Sequence, residues 1–399
     1  MQTYTNKDGI TITSFATEME QGLKEQAFDI ASKFSDAQVA LMPDAHVGTP
    51  APIGLTINFH DIKPEERFNI VELVGNDIGC GVMSYGLKID HKLTTEELEK
   101  IYSLISQEIG IFTRPYMEVH DTFGTLGSGN HFIEIGQVDD KGTYLITVHS
   151  GSRSKGAEVY KKYSKKHTTL LDNSLQNELI DVMKRANLDS MIQAALTNAN
   201  FKVIKNDMTD KMWDYYLKDM RDAVNWARGS RNDMMNKVLD ILVDLNIKFD
   251  VFLEVNNTHN YFDRDSTYNA GILRKGAINQ HEDNLILTPL SMKEGVLVSL
   301  PMPSFNNNYS AMHGAGRALS RKLARETVTM SKFKEDMEGI VAHPREEILD
   351  EAPDAYKTAA TILNDSEEIC YPLFIAKPVL NFKGADHVHE NYKEERNNG

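Results

Sequence analysis

Apolar residues in the first half of the chain fall in short runs that end in glycine or small polar residues. VALMPDAHVG (39–48), IVELVGNDIGCG (70–81), HFIEIG (131–136) and TYLITVHSGSR (143–153) are rich in Val, Ile and Leu. Each reads as a strand entering a loop, which makes the stretch from about residue 39 to 156 β-rich. From about Lys161 to Leu245 the spacing turns helical, as in MWDYYLKDMRDAVNWARGSRNDMMNKVLDIL, where Trp213, Leu217 and Met220 share a face. That segment, about 160–245, reads as a helical insertion. Strand character returns at FDVFLEV and VLVSLPM, followed by a helix over RALSRKLARE and a charged tail expected to fray over about 388–399. Runs of strands and of helices are segregated, so the predicted class is α+β, with a β-sheet core and a cleft at strand ends. No fixed-period repeat or Pro/Ser-rich linker divides the chain, and residues 1–399 are expected to form a single domain.

Composition narrows the partners. The 399 residues are 41% hydrophobic and 25% charged, enough to close a large core. A net charge of −15 excludes a uniformly basic coat, so any polyanion must meet a local cationic surface. No apolar run approaches the roughly 20 residues that cross a bilayer. MQTYTNKDGI has neither the charged nor the apolar region of a signal peptide, which leads to the expectation of a cytoplasmic protein without a membrane partner. Cys80 and Cys370 can form at most one bridge, so no disulfide framework is expected and a thiol is free for chemistry.

Candidate ligands recur at the glycine-framed loops. Asp77 and Cys80 follow the run at 70–74, His131 sits where a glycine loop enters a strand, and His149 and His259 lie at strand ends. Residues far apart in sequence can converge on one rim in this way. Any one of these histidines taken alone also fits a satisfied buried imidazole or a surface residue. The joint pattern carries the metal reading, because other histidines, among them His60, His91 and His167, lack such settings. One carboxylate, one thiolate and three imidazoles exceed one four-coordinate ion, and a bridging thiolate suggests two ions. Ligand softness alone names zinc.

A second constellation is SAMHGAGRALSRKLA (310–324), with His313 ahead of Gly314, Ala315 and Gly316 and a helix carrying Arg317, Arg321, Lys322 and Arg325. Amides at a helix start can hold a phosphate, and a neutral imidazole there can attack phosphorus. The alternative is a glycine-rich helix start packed on a strand, with His313 as a cap. No GxxxxGK[ST] sequence is present, so a P-loop is absent. Cations cluster from Arg153 to Lys166 and again at Arg274 and Lys275, where they could track a phosphate backbone. A solvated helix face suits Lys161 to Lys166 better than it suits Arg153.

These motifs together resemble the RtcB family of RNA ligases. The resemblance runs through MPDAHVG (42–48), GNDIGCG (75–81), GTLGSGNHFIE (124–134), HSGSR (149–153), THNY (258–261), RKGA (274–277), HGAGR (313–317), AYK (355–357) and FKG (382–384). It implies that Asp77, Cys80 and His131 hold one Mn²⁺ ion and that Cys80, His149 and His259 hold a second. It implies that His313 is the catalytic residue, guanylylated by GTP. Asn130, His131, Phe132, Ile133, Glu134, His259, Asn260, Pro289, Leu290, Ser291, Met292, His313, Gly314, Ala315, Gly316, Tyr356 and Lys383 correspond to positions around the guanine nucleotide. The implied substrates are RNA with a 3'-phosphate or 2',3'-cyclic phosphate end and RNA with a 5'-hydroxyl, joined through an RNA-ppG intermediate in RNA repair or tRNA splicing. Some relatives work with an activator protein.

The chain departs from the family pattern at several points. The family's glycine-serine-methionine-glycine loop stands here as Leu290, Ser291, Met292 and Lys293, and Val296 replaces a serine. Ser154 ends the HSGSR motif where a glycine is expected, and Ser230-Arg231 replaces an asparagine-arginine pair. An active but divergent ligase is the expectation. The alternatives are a metal-dependent phosphodiesterase that opens cyclic ends without ligation, or a non-catalytic RNA-end binding protein.

Overall fold

The computed structural model describes residues 1–109, 122–127, 129–164, 167–170, 184, 202–205, 208–264, 270–280 and 284–384. The first elements are β1 (Gln2–Thr5), β2 (Thr11–Ser14), α1 (Gln21–Ala31), β3 (Ala37–His46), β4 (Ile53–Phe59), α2 (Pro64–Val74), β5 (Gly81–Ile89) and α3 (Thr95–Glu108). The middle of the chain gives β6 (Phe132–Gln137), β7 (Thr143–Ser150), α4 (Ser154–Tyr163), β8 (His167–Leu170), β9 (Lys202–Lys205) and α5 (Asp210–Asp244). Next come β10 (Phe249–Thr258), β11 (Asn260–Asp263), β12 (Gly271–Lys275), β13 (Ala277–Asn279), β14 (Ile286–Pro289), β15 (Val296–Pro301) and β16 (Ser310–Met312). The last are α6 (Arg321–Thr327), α7 (Met330–Asp336), α8 (Ala359–Asp365) and β17 (Cys370–Lys383).

Two sheets dominate, with orders β1-β2-β3-β4-β12-β11 and β10-β5-β7-β6-β17-β15-β14. With the helices packed against them, the class is α+β, as expected. The second sheet is covered on both faces, because alternate residues of a strand point to opposite sides. Met83, Tyr85, Leu87, Ile133, Ile135, Ile146 and Val148 meet Leu98, Ile101 and Ile105 of α3 and Met234, Val238 and Ile241 of α5. On the other face Val82, Leu145, Val255, Val296, Val298 and Ala376 form a smaller cluster. The first sheet packs Leu41, Leu55, Ile57, Phe59 and Leu273 against α1, α2 and the first half of α5, where Trp213, Tyr216, Leu217 and Met220 are buried.

Helix α5 therefore belongs to both cores. Its 35 residues make a rod of roughly 50 Å. Thr209 caps its start by accepting from Met212 N. The predicted insertion is helical at α4 and α5, with the antiparallel pair β8 and β9 between them; its stretches at 171–183 and 185–201, and the predicted frayed tail, lie outside the described residues.

Two sequence expectations change. The apolar run at 70–74 is the last turn of α2, not a strand. Pro64 opens that helix, Glu65 and Glu66 lie in its first turn, and Gly75 closes it at φ 72°. A short, mostly apolar run fits either period, and here the start signals decide. Asp77 and Cys80 thus follow a helix and precede β5. The helix expected over 317–326 begins only at Arg321, capped by Ser320, so the glycines and Arg317 lie outside it, with Arg317 bridged to Tyr356.

Candidate functional site

The metal-ligand candidates sit at one end of four adjacent strands. Across β10, β5 and β7 the register aligns Thr258 with Gly81 and Gly81 with Ser150, and His149 pairs with Phe132 of β6. Residues flanking these pairs are neighbours because strands lie roughly 5 Å apart. Cys80 Sγ is 3.6 Å from His131 Nε2 and 3.4 Å from His149 Nε2. All three side chains are buried, and their candidate ligand atoms lie within 4.8 Å of one another. The His259 ring is centred 5.1 Å from that of His149. The Asp77 carboxylate lies near enough to the Cys80 thiol to raise it. Its loop is held by Asn260, whose Nδ2 donates to Asp77 O at 2.6 Å and to Val74 O at 3.1 Å.

The chemistry of this set fits a divalent cation. Burial is the largest influence on His131, His149 and His259 and holds all three below the ordinary imidazole value, so each is neutral with a lone pair to give. His131 Nδ1 lies 2.9 Å from Leu126 O, which takes the N–H and leaves Nε2 facing the thiol. Among the described residues His259 Nδ1 is buried without a hydrogen-bond partner, an orphan that a metal would satisfy. Burial, then Asp77, pushes the Cys80 thiol up, and Arg231 opposes them. Sulfur, imidazole and carboxylate donors are compatible with several divalent ions.

His313 follows β16 and lies in the same cleft, its ring centred 4.6 Å from His259. Asp44 stands behind it, fully buried, with Oδ2 2.6 Å from His313 Nδ1. The approach is short but poorly aligned for a hydrogen bond, so the contact is mainly electrostatic. The same oxygen accepts from His313 N at 3.1 Å and Gly314 N at 3.3 Å. Two amides of the expected phosphate cradle are thus already engaged by a carboxylate. Asp44 lies in the MPDAHVG motif, and its acid between an apolar strand and a histidine is the signal that identifies it.

The cleft encloses about 670 Å³ and brings most of the remaining candidates together. Asp77, Cys80, His149, His259 and Asn260 line its inner end, with Asn130, Phe132, Glu134 and Lys383 on one wall. Pro289, Leu290, Ser291, Met292, Gly314, Ala315, Gly316 and Tyr356 line the others. Ile133 does not face it: strand alternation turns its side chain into the core beneath α3 and α5.

Glu351, absent from every motif above, is the charge centre of the far wall. Lys383 Nζ at 3.2 Å, Arg321 at 2.7 Å and Arg317 at 3.3 Å surround it, and Tyr356 donates to it at 2.5 Å. Burial opposes its ionisation, but these partners outweigh burial and hold it at about 2. Glu134 has the opposite balance. Burial raises it to about 8, against the pull of Asn381 and Lys383. Asn381 Nδ2 donates to its Oε2 at 2.7 Å, while Oε1 is buried with no partner among the described residues.

Arg274 is not part of a phosphate track. It is 1% exposed and spent on Asp263, 2.7 Å away, and on Ser310. Its neighbour Lys275 faces the cleft with Nζ on Val74 O, and burial lowers it to about 8. Lys161 and Lys162 lie on the exposed side of α4, as a solvated face requires, and Lys165 and Lys166 lie outside the described residues. In the divergent loop, Leu290 is buried and Lys293 reaches out to Asp336 at 2.7 Å, so the added charge points away from the cleft floor.

Comparison with known proteins gives the same frame. The family model described as tRNA-splicing ligase RtcB matches residues 26–115 and 111–384. The RNA-splicing ligase RtcB of Escherichia coli strain K12 is 24% identical over 417 aligned residues, covering 92% of this chain and 95% of that protein. The tRNA-splicing ligase RtcB of Aeropyrum pernix is 24% identical, with 79% of this chain and 81% of that protein covered. A match that covers every strand but β1 and β2 and all of these cleft motifs places the chain in the RtcB family.

Proposed function

We propose that this chain is an RNA ligase that joins a 3'-phosphate or 2',3'-cyclic phosphate end to a 5'-hydroxyl end through a guanylylated histidine. The observation that carries the reading is His313, set beside the buried Cys/His cluster with a carboxylate behind its ring. The proposed unit is the whole chain acting as one RtcB domain. Asp77, Cys80 and His131 would hold one Mn²⁺ ion, and Cys80, His149 and His259 the other. Bound there, the ions supply positive charge that stabilises phosphate oxygens and the departing pyrophosphate.

The chain's own residues supply the rest. Asp44 faces Nδ1 of His313 and so favours the tautomer with the proton on that nitrogen, which leaves the Nε2 lone pair free. Nε2 attacks the α-phosphorus of GTP; an N–P bond forms as the bond to the bridging oxygen of pyrophosphate breaks. The 3'-phosphate of RNA then displaces His313 and takes the guanylate, giving RNA-ppG. The 5'-hydroxyl loses its proton and attacks the RNA phosphorus, and GMP leaves. Glu134 suits the guanine edge: it lines the cleft, and in its ionised form Oε1 can accept from ring and exocyclic N–H donors, which would offset the burial that raises it. Lys383 and Tyr356, held by Glu351, would flank the base.

Incubation with GTP labelled on the α-phosphate should leave acid-labile GMP on the protein, and His313→Ala should abolish it. A gel assay pairing 3'-phosphate RNA with 5'-hydroxyl RNA should give a joined product only with GTP and Mn²⁺. Opening of the cyclic end without GTP and without joining would favour the phosphodiesterase. No labelling of the wild type, or equal labelling of His313→Ala, would sink the ligase mechanism.

A further inference from the structure

One turn of α5 touches the approach to every metal-ligand candidate in the Cys/His cluster, although none of its residues belongs to that cluster. Arg231 lies at mid-helix and is fully buried. Its Nη1 donates to Gly79 O at 2.9 Å and Ser150 O at 2.7 Å, the carbonyls next to Cys80 and His149. Its Nε and Nη2 donate to Asn256 Oδ1 at 3.2 and 3.0 Å, on the strand that delivers His259. The fit is flush: a Cβ at Gly81 would lie 2.7 Å from Nη2. The preceding residue reaches the remaining ligand loop, since Ser230 Oγ accepts from Gly124 N at 2.9 Å. That loop presents Leu126 O, which holds His131 Nδ1.

We infer that Arg231 is a positioning residue for the metal centre: its guanidinium fork clamps the strand ends carrying Cys80, His149 and His259 into the spacing that receives the ions. The inference rests on the metal reading above and adds a part to it. Geometry makes the role specific to arginine. A planar fork can serve two carbonyls and an amide oxygen at once, whereas a lysine ammonium is a single point on a flexible stem. Each bond lands one to three residues from a ligand, so slack at Arg231 becomes displacement of the donor atoms. Groups that orient ligands in this way typically govern metal affinity 10- to 100-fold.

The test uses the full chain, freed of metal and titrated with Mn²⁺, and separately loaded with Co²⁺ to read the thiolate-to-metal absorption band. Arg231→Lys should bind Mn²⁺ roughly 10- to 100-fold more weakly than the wild type, with a shifted or weakened Co²⁺ band. Asn256→Ala, which frees two of the guanidinium donors but leaves the carbonyl bonds, should lose less and shift the band in the same sense. A general loss of stability would lower the melting temperature of both variants without moving the Co²⁺ band of the folded protein. If Arg231→Lys does not fold, Asn256→Ala decides. Wild-type binding with variants within about twofold of it and superimposable Co²⁺ spectra overturns the inference alone. A wild type that takes up no ion overturns the metal reading beneath it.

Discussion

Asp44, behind the His313 ring, and Glu134, lining the cleft, are both buried carboxylates, yet their surroundings give them different work. Asp44 faces an imidazole and two amides, so it sits behind the ring that the proposed mechanism has react. Asp44→Asn keeps the shape and removes the charge; GTP labelling of His313 should slow about 10²- to 10⁴-fold, as for the loss of an orienting or general-base group. A single-turnover measurement checks this, with GTP affinity expected to stay within a few-fold. Among the described residues no salt bridge reaches Glu134, and burial, against the pull of Asn381 and Lys383, raises it from the ordinary 4.5 to about 8. Between those values the folded chain holds a proton that the unfolded chain has released. Its contribution to stability is therefore present below the lower value and is lost as pH rises through the upper one. Glu134→Gln removes this dependence, so melts of the metal-free protein should show the variant gaining on the wild type from about pH 5 to about pH 8. A constant difference across that range would contradict the assignment. At this scale the sequence was most legible where chemistry is local: Asp77, Cys80 and the three cluster histidines could be picked out by residue type and glycine framing. Glu351 could not, because its meaning comes from Arg317, Arg321 and Lys383, which folding alone brings to it.

Elements are legible when their period is long enough to be unambiguous. Trp213, Leu217 and Met220 repeat over many turns, and α5 follows. Ile70 to Val74 is one turn rich in β-branched residues, and only Pro64 and the acids after it distinguish a helix from a strand. The cost of that ambiguity is functional, because the end of α2 aims Asp77. Gly75 turns the chain there at φ 72° and ψ −155°, a region that only glycine enters freely. Gly75→Ala should cost on the order of 1–3 kcal/mol and tilt the Asp77 loop. Calorimetric melting should show the lower stability, and Mn²⁺ titration a weaker first ion. Strand register explains why the other candidate ligands meet without sequence proximity: Gly81 pairs with both Thr258 and Ser150, so one rung of the sheet carries three segments that bear them.

On the scale of the molecule, the cleft lies where the two sheets part. β10 belongs to one sheet and β11 to the other, with His259 as the single residue between them. Its N–H donates to Cys80 O at 2.8 Å, and Gly79 N donates back to Asn260 O at 2.8 Å, so the junction is stitched through the same residues that line the ligand cluster. Helix α5 runs alongside, rooted in one core by Trp213 and Tyr216 and in the other by Val238 and Ile241. The junction is thus the point where two packed bodies meet over polar, ligand-bearing backbone, and apolar burial stabilises it least. Ions held there would act as a clasp, since binding to the folded state alone adds stability by mass action. Chelation should lower the melting temperature and raise amide hydrogen exchange at residues 79–82, 149–151 and 257–260. Exchange near Trp213 and Ile241, set in apolar cores, should change little. Uniform loss of protection along α5 would mean that the metals hold the whole fold. No change at the junction would mean that the sheets need no ion to stay joined, leaving any bound metal to chemistry alone.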